Sequence, residues 1–173
     1  MVKKQDNYNK FSSESGHWYD REGKPMYTIV GSNGVERNTT LRDAKSLGLV
    51  PSVTTIIGIV AKPFLENWKI NAAKEGTRIH NKIEEGFLGT SQNKTYQVIK
   101  NYLDKEYPKE KWIAEDSFCS SLGYGGKIDL YSKSGIFVDF KTKDNLEGKD
   151  PAKLIFDEHG MQLSAYAQGC ECP

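Results

Sequence analysis

The chain has 173 residues, of which 37% are hydrophobic and 27% are charged, an ordinary composition for a globular domain. No apolar run approaches the roughly 18 residues of a membrane-spanning helix, and a net charge of +1 at pH 7 neither requires nor excludes a nucleic-acid partner. The length suits one compact domain rather than two. We therefore expect a single domain over residues 1–173, with one functional site and no membrane contact.

The cellular compartment is predicted from the N-terminus and the cysteines. Residues 1–10, MVKKQDNYNK, lack the apolar core of a signal peptide, which favours a cytoplasmic protein. Cys119, Cys170 and Cys172 form no spaced framework, and this predicts reduced thiols in a reducing compartment. A thiolate cluster that uses these cysteines stays open as an alternative, although an iron–sulfur cluster normally takes four thiolates.

Residues 1–50 are predicted to form an N-terminal extension. Aromatic and β-branched residues on both sides of the turn REGK indicate a β-hairpin over residues 16–30. The following TTLRDAKSLG is typical of a short helix with a threonine cap at its start and Gly48 at its end. In PSVTTIIGIV, Ser52 and Thr54 can cap the next helix or face a phosphate, and both interpretations stay open.

Two amphipathic segments follow. Helical periodicity extends over residues 63–89, with a predicted break near Gly76, and TYQVIKNYLDKEY at 95–107 predicts another helix. The buried stripe of the first segment repeats every four residues and consists of Ile79, Ile83 and Phe87. His80 and Glu84 share this spacing and lie together beside the stripe.

The C-terminal half is predicted to contain three strands and a helix. The strand segments are KWIAEDSFC, GKIDLYS and GIFVDFKTK, at residues 111–119, 126–132 and 135–143. Each is rich in β-branched and aromatic residues, and the connections are short enough for hairpins. A charged loop is predicted at 144–160 and a helix at 161–169, MQLSAYAQG.

The second hairpin can be given a register. Its connection KSG fits a three-residue loop whose last residue adopts a left-handed conformation, for which Gly135 is suited. This loop places Asp129 directly opposite Asp139. The alternation of strand side chains then collects apolar residues on one face, namely Ile128, Leu130, Ile136, Val138 and Phe140. The other face collects Lys127, Asp129, Tyr131, Phe137, Asp139 and Lys141.

Paired aspartates on neighbouring strands require compensation. Opposed β-carbons lie about 4.5–5.5 Å apart, and two carboxylates at that separation share a proton or a cation. Oxygen ligands suit Mg²⁺ or Mn²⁺, and Lys141 on the same face can orient a water or offset charge on a phosphoryl oxygen. The alternative is a solvated sheet face on which Lys127 and Lys141 form surface ion pairs with the aspartates.

Four motifs in chain order resemble those of the PD-(D/E)XK nuclease superfamily, and in particular its RecB-type branch, which includes phage exonucleases and the mitochondrial genome maintenance exonuclease. The motifs are His80, GGKID with Asp129, DFK with Asp139 and Lys141, and QLSAY with Gln162 and Tyr166. PSVTTIIG followed by GTRIHNKIE is also similar to the opening of those relatives. The resemblance covers roughly residues 50–170.

The resemblance implies a fold and a set of roles. The fold is an α/β restriction-endonuclease-like core over residues 51–173, with a central mixed β-sheet flanked by helices and preceded by the hairpin and helix extension. The implied ligands of Mg²⁺ (or Mn²⁺) are Asp129, Asp139, His80 and the backbone carbonyl of Phe140, with Glu115 as a supporting or second-metal ligand. Lys141 is the implied catalytic lysine. Gln162 and Tyr166 are implied to brace the site and contact DNA.

Two positions depart from the family pattern. Ile128 stands where the superfamily name places a proline. The family core usually continues into another strand after the Gln-x-x-x-Tyr helix, whereas this sequence ends seven residues beyond Tyr166. A C-terminally truncated core is therefore an expectation beside the complete one.

The resemblance implies a divalent-metal-dependent DNA exonuclease that hydrolyses phosphodiester bonds in phage-type DNA recombination or processing. The expected partner is DNA, as a single strand or as a duplex end. Two alternatives stay open: a structure-specific endonuclease, and a nucleic-acid-binding module of the same fold without hydrolysis.

Overall fold

The computed structural model describes residues 17–61, 70–143 and 146–170, with the backbone alone for residues 61 and 70–75. Within these ranges the chain combines helices and short strands, which confirms the general α/β class. The strands are β1 (Trp18–Tyr19), β2 (Thr28–Val30), β3 (Glu36–Asn38), β4 (Val50–Pro51), β5 (Trp112–Ser120), β6 (Tyr124–Ser132) and β7 (Phe137–Val138). The α-helices are α1 (Leu41–Leu47), α2 (Val53–Ala61), α3 (Ile70–Phe87), α4 (Lys94–Glu106) and α5 (Asp157–Gly169).

The site is built on an antiparallel sheet with the order β5-β6-β7. Leu130 lies opposite Val138, and the Ser132 N–H donates to the Ile136 carbonyl at 2.9 Å, as the register derived from the KSG loop requires. Gly135 has φ 92°, the left-handed conformation expected for that loop. The predicted register of this hairpin is therefore confirmed.

Strand β7 is shorter than predicted. The sequence predicts a strand over residues 135–143, whereas the β6–β7 ladder ends at Val138. Beyond that point the Phe140 N–H donates to Asp129 Oδ2 at 2.8 Å, so a carboxylate takes the place of a ladder carbonyl. The acidic side chain itself ends the strand.

The N-terminal part packs on β6, although not as one hairpin. Strand β1 pairs with β4, and β2 pairs with β3. The predicted hairpin over residues 16–30 is present in its inner part, where Tyr19 bridges Pro25 and the Met26 N–H donates to the Trp18 carbonyl at 2.8 Å. A parallel bridge joins Ser52 to Gly125 of β6. In the described ranges every named strand pair is antiparallel, so the predicted mixed sheet is represented by this bridge alone.

The helices follow their predicted caps but not all of their predicted limits. Thr40 and Asp43 form a capping box on α1, and Ser52 Oγ accepts from the Thr55 N–H at 3.0 Å at the start of α2, which favours the capping role of Ser52. The predicted break near Gly76 is wrong, because α3 runs without interruption and a helical glycine costs only about 1 kcal/mol. Residues 63–69 lie outside the described part.

The C-terminal helix is longer than predicted. It begins at Asp157 rather than at residue 161, and a 3-10 helix, Pro151–Leu154, lies in the predicted loop. The Lys143 ammonium lies 3.8 Å from the centroid of the Phe156 ring, so the start of α5 contacts the chain just after β7. Acidic residues in its first turn favour the helix dipole, which is why the helix extends into DEHG.

The core joins α2, α5 and the central sheet. Its buried residues are Val53, Ile128, Tyr131, Tyr166 and Cys170. Tyr131 stacks on Phe137 with centroids 5.9 Å apart, so the hairpin face predicted to be polar also contributes to packing. No helix in the described ranges is long and apolar enough to cross a membrane.

The cysteines differ from expectation. Cys119 is a free thiol, whereas Cys170 is disulfide-bonded, so the prediction of reduced thiols is wrong for Cys170. A disulfide sulfur is no thiolate ligand, which argues against the alternative of a thiolate cluster. Cys172 lies outside the described residues.

Candidate active site

Two aspartates with little solvent contact lie at the centre of the site. Asp129 belongs to β6, and Asp139 directly follows β7. Their side chains are only 16% and 8% exposed, because α3 and α5 flank this end of the hairpin. The interpretation as a solvated sheet face is therefore wrong, and both carboxylates need partners from the protein or from a ligand.

Asp139 is held by one residue of its own strand segment and one of α5. Its Oδ2 lies 2.6 Å from Lys141 Nζ, and its Oδ1 accepts from Gln162 Nε2 at 2.9 Å. Lys141 also donates to Gln162 Oε1 at 3.0 Å. These three contacts close a ring in which each side chain binds the other two.

Tyr166 extends this ring into the core. Its hydroxyl accepts a hydrogen bond of 2.8 Å from Gln162 Nε2, across the i,i+4 spacing that places both side chains on one face of α5. The Tyr166 side chain is buried, and burial raises the pKa of its phenol. The neutral Tyr166 hydroxyl thus fixes the orientation of the Gln162 amide from the buried side of the site.

The protonation of Asp139 follows from its surroundings. Burial raises the pKa of the Asp139 carboxyl, and the nearby Asp129 carboxylate adds to the increase. Lys141 acts in the opposite direction through its charge and hydrogen bond. The net shift is upward, because burial outweighs the ion pair with Lys141.

His80 brings α3 to the same carboxylates. Its Nδ1 lies 3.4 Å from Asp129 Oδ2, and its ring meets the Phe140 ring edge-on with centroids 6.3 Å apart. Hydrogen bonding to Asp129 raises the pKa of His80, and a bond to the Phe140 backbone adds to that effect. The imidazole, the Asp129 carboxylate and the backbone at Phe140 therefore converge on one point.

Glu115 also reaches the site, but it has another partner. The β5–β6 register places it opposite Asp129, between the pairs Ala114–Leu130 and Asp116–Ile128. Its carboxylate contacts the Lys127 ammonium. Burial raises the pKa of the Glu115 carboxyl, against the effect of Lys127.

The ammonium of Lys127 links Glu115 to a second helix. Glu84 Oε1 of α3 lies 3.8 Å from Lys127 Nζ. Burial acts to lower the pKa of Lys127, but the hydrogen bond and charge of Glu115, with Glu84, raise it overall. Lys127 is therefore a firmly charged group between two carboxylates.

The donor set suits a hard divalent cation. Carboxylate and backbone carbonyl oxygens are ligands that Mg²⁺ or Mn²⁺ takes in proteins, whereas an imidazole is more usual for zinc, copper, iron or nickel. Among the described residues, no three His, Cys, Asp or Glu side chains surround one metal position. The carboxylate oxygens of Asp139 contact Lys141 and Gln162 instead. The oxygen donors of the site suit such a cation, and the Lys141 ammonium lies at the Asp139 carboxylate in this structure.

All eight residues predicted for the site lie within this one region of the fold. The predicted surface pairing is correct only for Lys141 with Asp139, since Lys127 pairs with Glu115 rather than with an aspartate. The pairing of Lys127 with Glu115 is not predicted from the sequence, although the position of Glu115 is predictable.

Residues 121–123, SLG, form a second three-residue loop that ends in glycine. The same loop rule places Glu115 opposite Asp129, on the face that Lys127 shares.

Comparison with known proteins gives one similarity. No family model matches the chain, and no solved structure matches it significantly. The chain is similar to a glutamyl-tRNA reductase from Campylobacter concisus (strain 13826), with 28% identity over 131 residues. These residues make up 76% of this chain but only 27% of the reductase. The chain thus spans about a quarter of the length of that relative.

Proposed function

We propose that the chain is a divalent-metal-dependent deoxyribonuclease with a restriction-endonuclease-like core of the PD-(D/E)XK type, and that it acts as an exonuclease on DNA ends. The observation that carries the proposal is the contact ring of Asp139, Lys141 and Gln162, with Asp129 and His80 beside it. The chain order of these residues, on a helix, a hairpin and a second helix, supports it further.

The cation has a defined set of candidate ligands. Asp129, Asp139, His80 and the Phe140 carbonyl would hold Mg²⁺ or Mn²⁺. When bound, such an ion lowers the pKa of a water and stabilises charge on phosphate oxygens. Asp129 and Asp139 have little solvent contact, and a divalent cation would offset the cost of keeping two carboxylates ionised there.

Lys141 is the residue that acts on the substrate. Its side chain is 37% exposed, which leaves the ammonium accessible to a phosphate while Asp139 and Gln162 fix its position. A fixed ammonium orients the attacking water and offsets negative charge that develops on a phosphoryl oxygen. In the hydrolysis the attacking water loses a proton as its oxygen forms a bond to phosphorus, the bond from phosphorus to one nucleoside oxygen breaks, and that leaving oxygen takes up a proton.

The test measures degradation of end-labelled single-stranded, linear duplex and closed circular DNA with Mg²⁺ or Mn²⁺. We expect Asp139→Asn and Lys141→Met to lower the rate by about 100-fold or more, since preorganised charge of this kind contributes on that scale. Lys133→Met is the matched control, because Lys133 is an exposed lysine in the loop between β6 and β7. It should retain the full rate.

The other outcomes identify the alternatives. Cleavage of closed circles would replace the exonuclease with an endonuclease. DNA binding without any metal-dependent cleavage would favour a non-catalytic binding module. Degradation that persists at the same rate in Asp139→Asn and Lys141→Met would show that the site is assigned wrongly.

A further inference from the structure

We propose that the centre takes one divalent cation rather than two, because Lys127 supplies the positive charge that a second ion would bring to Glu115 and Glu84. This inference rests on the proposed function and concerns the composition of the same site. In this proposal Glu115 is the ion-pair partner of Lys127 and is not a metal ligand. Lys127 is then a positioning residue.

The geometry separates two groups of carboxylates. Asp129 and Asp139 lie with His80 and Lys141, whereas Glu115 contacts the Lys127 ammonium, which has Glu84 at 3.8 Å on its other side. Lys127 and Asp129 are two positions apart on β6, so both side chains project from one face. The ammonium therefore lies beside the aspartates, on the side where Glu115 would otherwise recruit a cation.

The backbone supports this separation. Glu115 has φ 57°, and within the described residues it is the one non-glycine residue with positive φ. The β5–β6 ladder omits the pair that Glu115 would form with Asp129. A left-handed conformation in a strand costs a non-glycine residue on the order of 1–3 kcal/mol, and it persists here at the residue that contacts Lys127.

The experiment is a Mn²⁺ titration of the DNA-free chain, followed by isothermal calorimetry and by electron paramagnetic resonance of free Mn²⁺. We expect one ion per chain. Glu115→Gln should also bind one ion, with affinity changed by less than about threefold, since Glu115 then acts only through space. Asp129→Asn should weaken binding by about tenfold or more, as loss of a ligand does.

Substitution of the lysine provides the converse test. Lys127→Met frees Glu115 and Glu84 and should raise the stoichiometry to two ions, whereas Lys127→Arg keeps the charge and should leave it at one. The double variant Lys127→Met/Glu115→Gln should return to one. Circular dichroism of each variant checks the fold. If Lys127→Met does not fold, the single variants Lys127→Arg and Glu115→Gln still test the inference.

Two sets of results would overturn the inference. Two ions in the unaltered chain, or loss of affinity in Glu115→Gln comparable to that in Asp129→Asn, would show that Glu115 is a ligand while leaving the nuclease assignment intact. No Mn²⁺ binding by the unaltered chain would remove both the inference and the metal-dependent function on which it rests.

Discussion

At the scale of single residues, Gln162 forms hydrogen bonds with three other side chains of the site. Its amide oxygen accepts from Lys141, and its amide nitrogen donates to both Asp139 and Tyr166. Because oxygen and nitrogen have different partners, the amide has one orientation that satisfies all three contacts. This side chain therefore determines where both the carboxylate and the ammonium point.

Replacement of Gln162 should separate positioning from DNA contact. We expect Gln162→Met to lower kcat by about 10–100-fold, the range found when a supporting hydrogen-bond partner of a metal site is lost, with KM for DNA nearly unchanged. Tyr166→Phe keeps the contacts of Gln162 with Asp139 and Lys141, and it should cost about 1 kcal/mol of stability with little loss of kcat. Steady-state kinetics on a labelled duplex would measure both parameters.

The outcome distinguishes two roles of α5. An increase in KM with kcat preserved in Gln162→Met would show that Gln162 contacts DNA instead of supporting Lys141. Unchanged values of both would contradict the contact ring as the functional unit.

Sequence patterns predict part of this site and miss another part for a physical reason. The pairing of Asp129 with Asp139 follows from loop length and strand alternation, both of which are local. The contact of Lys141 with Gln162 depends on how α5 packs on the sheet, which no local periodicity specifies. For that reason, roles for Gln162 and Tyr166 are predicted only through the family resemblance.

At the scale of elements, the approach of α5 to the sheet depends on small residues. A β-carbon on Gly126 of β6 would lie 2.7 Å from the Tyr166 ring and 2.8 Å from the Phe118 ring. The Tyr124 hydroxyl donates to the Ala165 carbonyl at 3.0 Å, which anchors the same helix further along β6. The flat surface at Gly126 thus lets Tyr166, and with it Gln162, reach the hairpin.

A methyl group at Gly126 should therefore displace the helix. We expect Gly126→Ala to lower the free energy of unfolding by about 1–3 kcal/mol, the usual cost of overpacking. Gly160→Ala is the matched control on α5, since a β-carbon at that position would meet no heavy atom within 4 Å; it should stabilise by roughly 0.5–1 kcal/mol through helix propensity. Denaturant unfolding of both variants gives the comparison, and equal effects would contradict the packing argument.

The elements that sequence patterns missed have identifiable causes. The sequence does not predict the hairpin of β2 and β3, although Asn33–Gly34 is a typical turn signal, because residues 28–30 are assigned to the hairpin predicted over residues 16–30. The C-terminal part of the third predicted strand is irregular, because Asp129 binds the Phe140 N–H. In the first case β1 pairs with β4, which is distant in sequence, and β2 pairs with its local neighbour β3. In the second case a side chain of β6 replaces the ladder acceptor.

At the scale of the whole molecule, the N-terminal part belongs to the same packing unit as the site. Ser52 is buried and bridges Gly125 of β6, and Tyr19 lies so close to Gly125 that a β-carbon there would be 2.7 Å from its ring. The strand that carries Asp129 is thus held at its start by the N-terminal part and at its end by β7. The general α/β class was predictable from alternating patterns, while the arrangement of these short strands was not.

Because the proposed ligands come together only in the folded state, a bound cation should stabilise the entire chain. The unfolded chain does not bring Asp129 and Asp139 together, so Mn²⁺ binds the folded state preferentially, and at 100 times its dissociation constant it should add about 2.7 kcal/mol to the free energy of unfolding. Thermal unfolding with Mn²⁺ and with excess EDTA measures the difference. Asp129→Asn should lose most of this gain, while Asp104→Asn, an exposed carboxylate on α4, should retain it. Equal stabilisation of the two variants would place the bound ion elsewhere, because the gain depends on ligands that only the folded hairpin assembles.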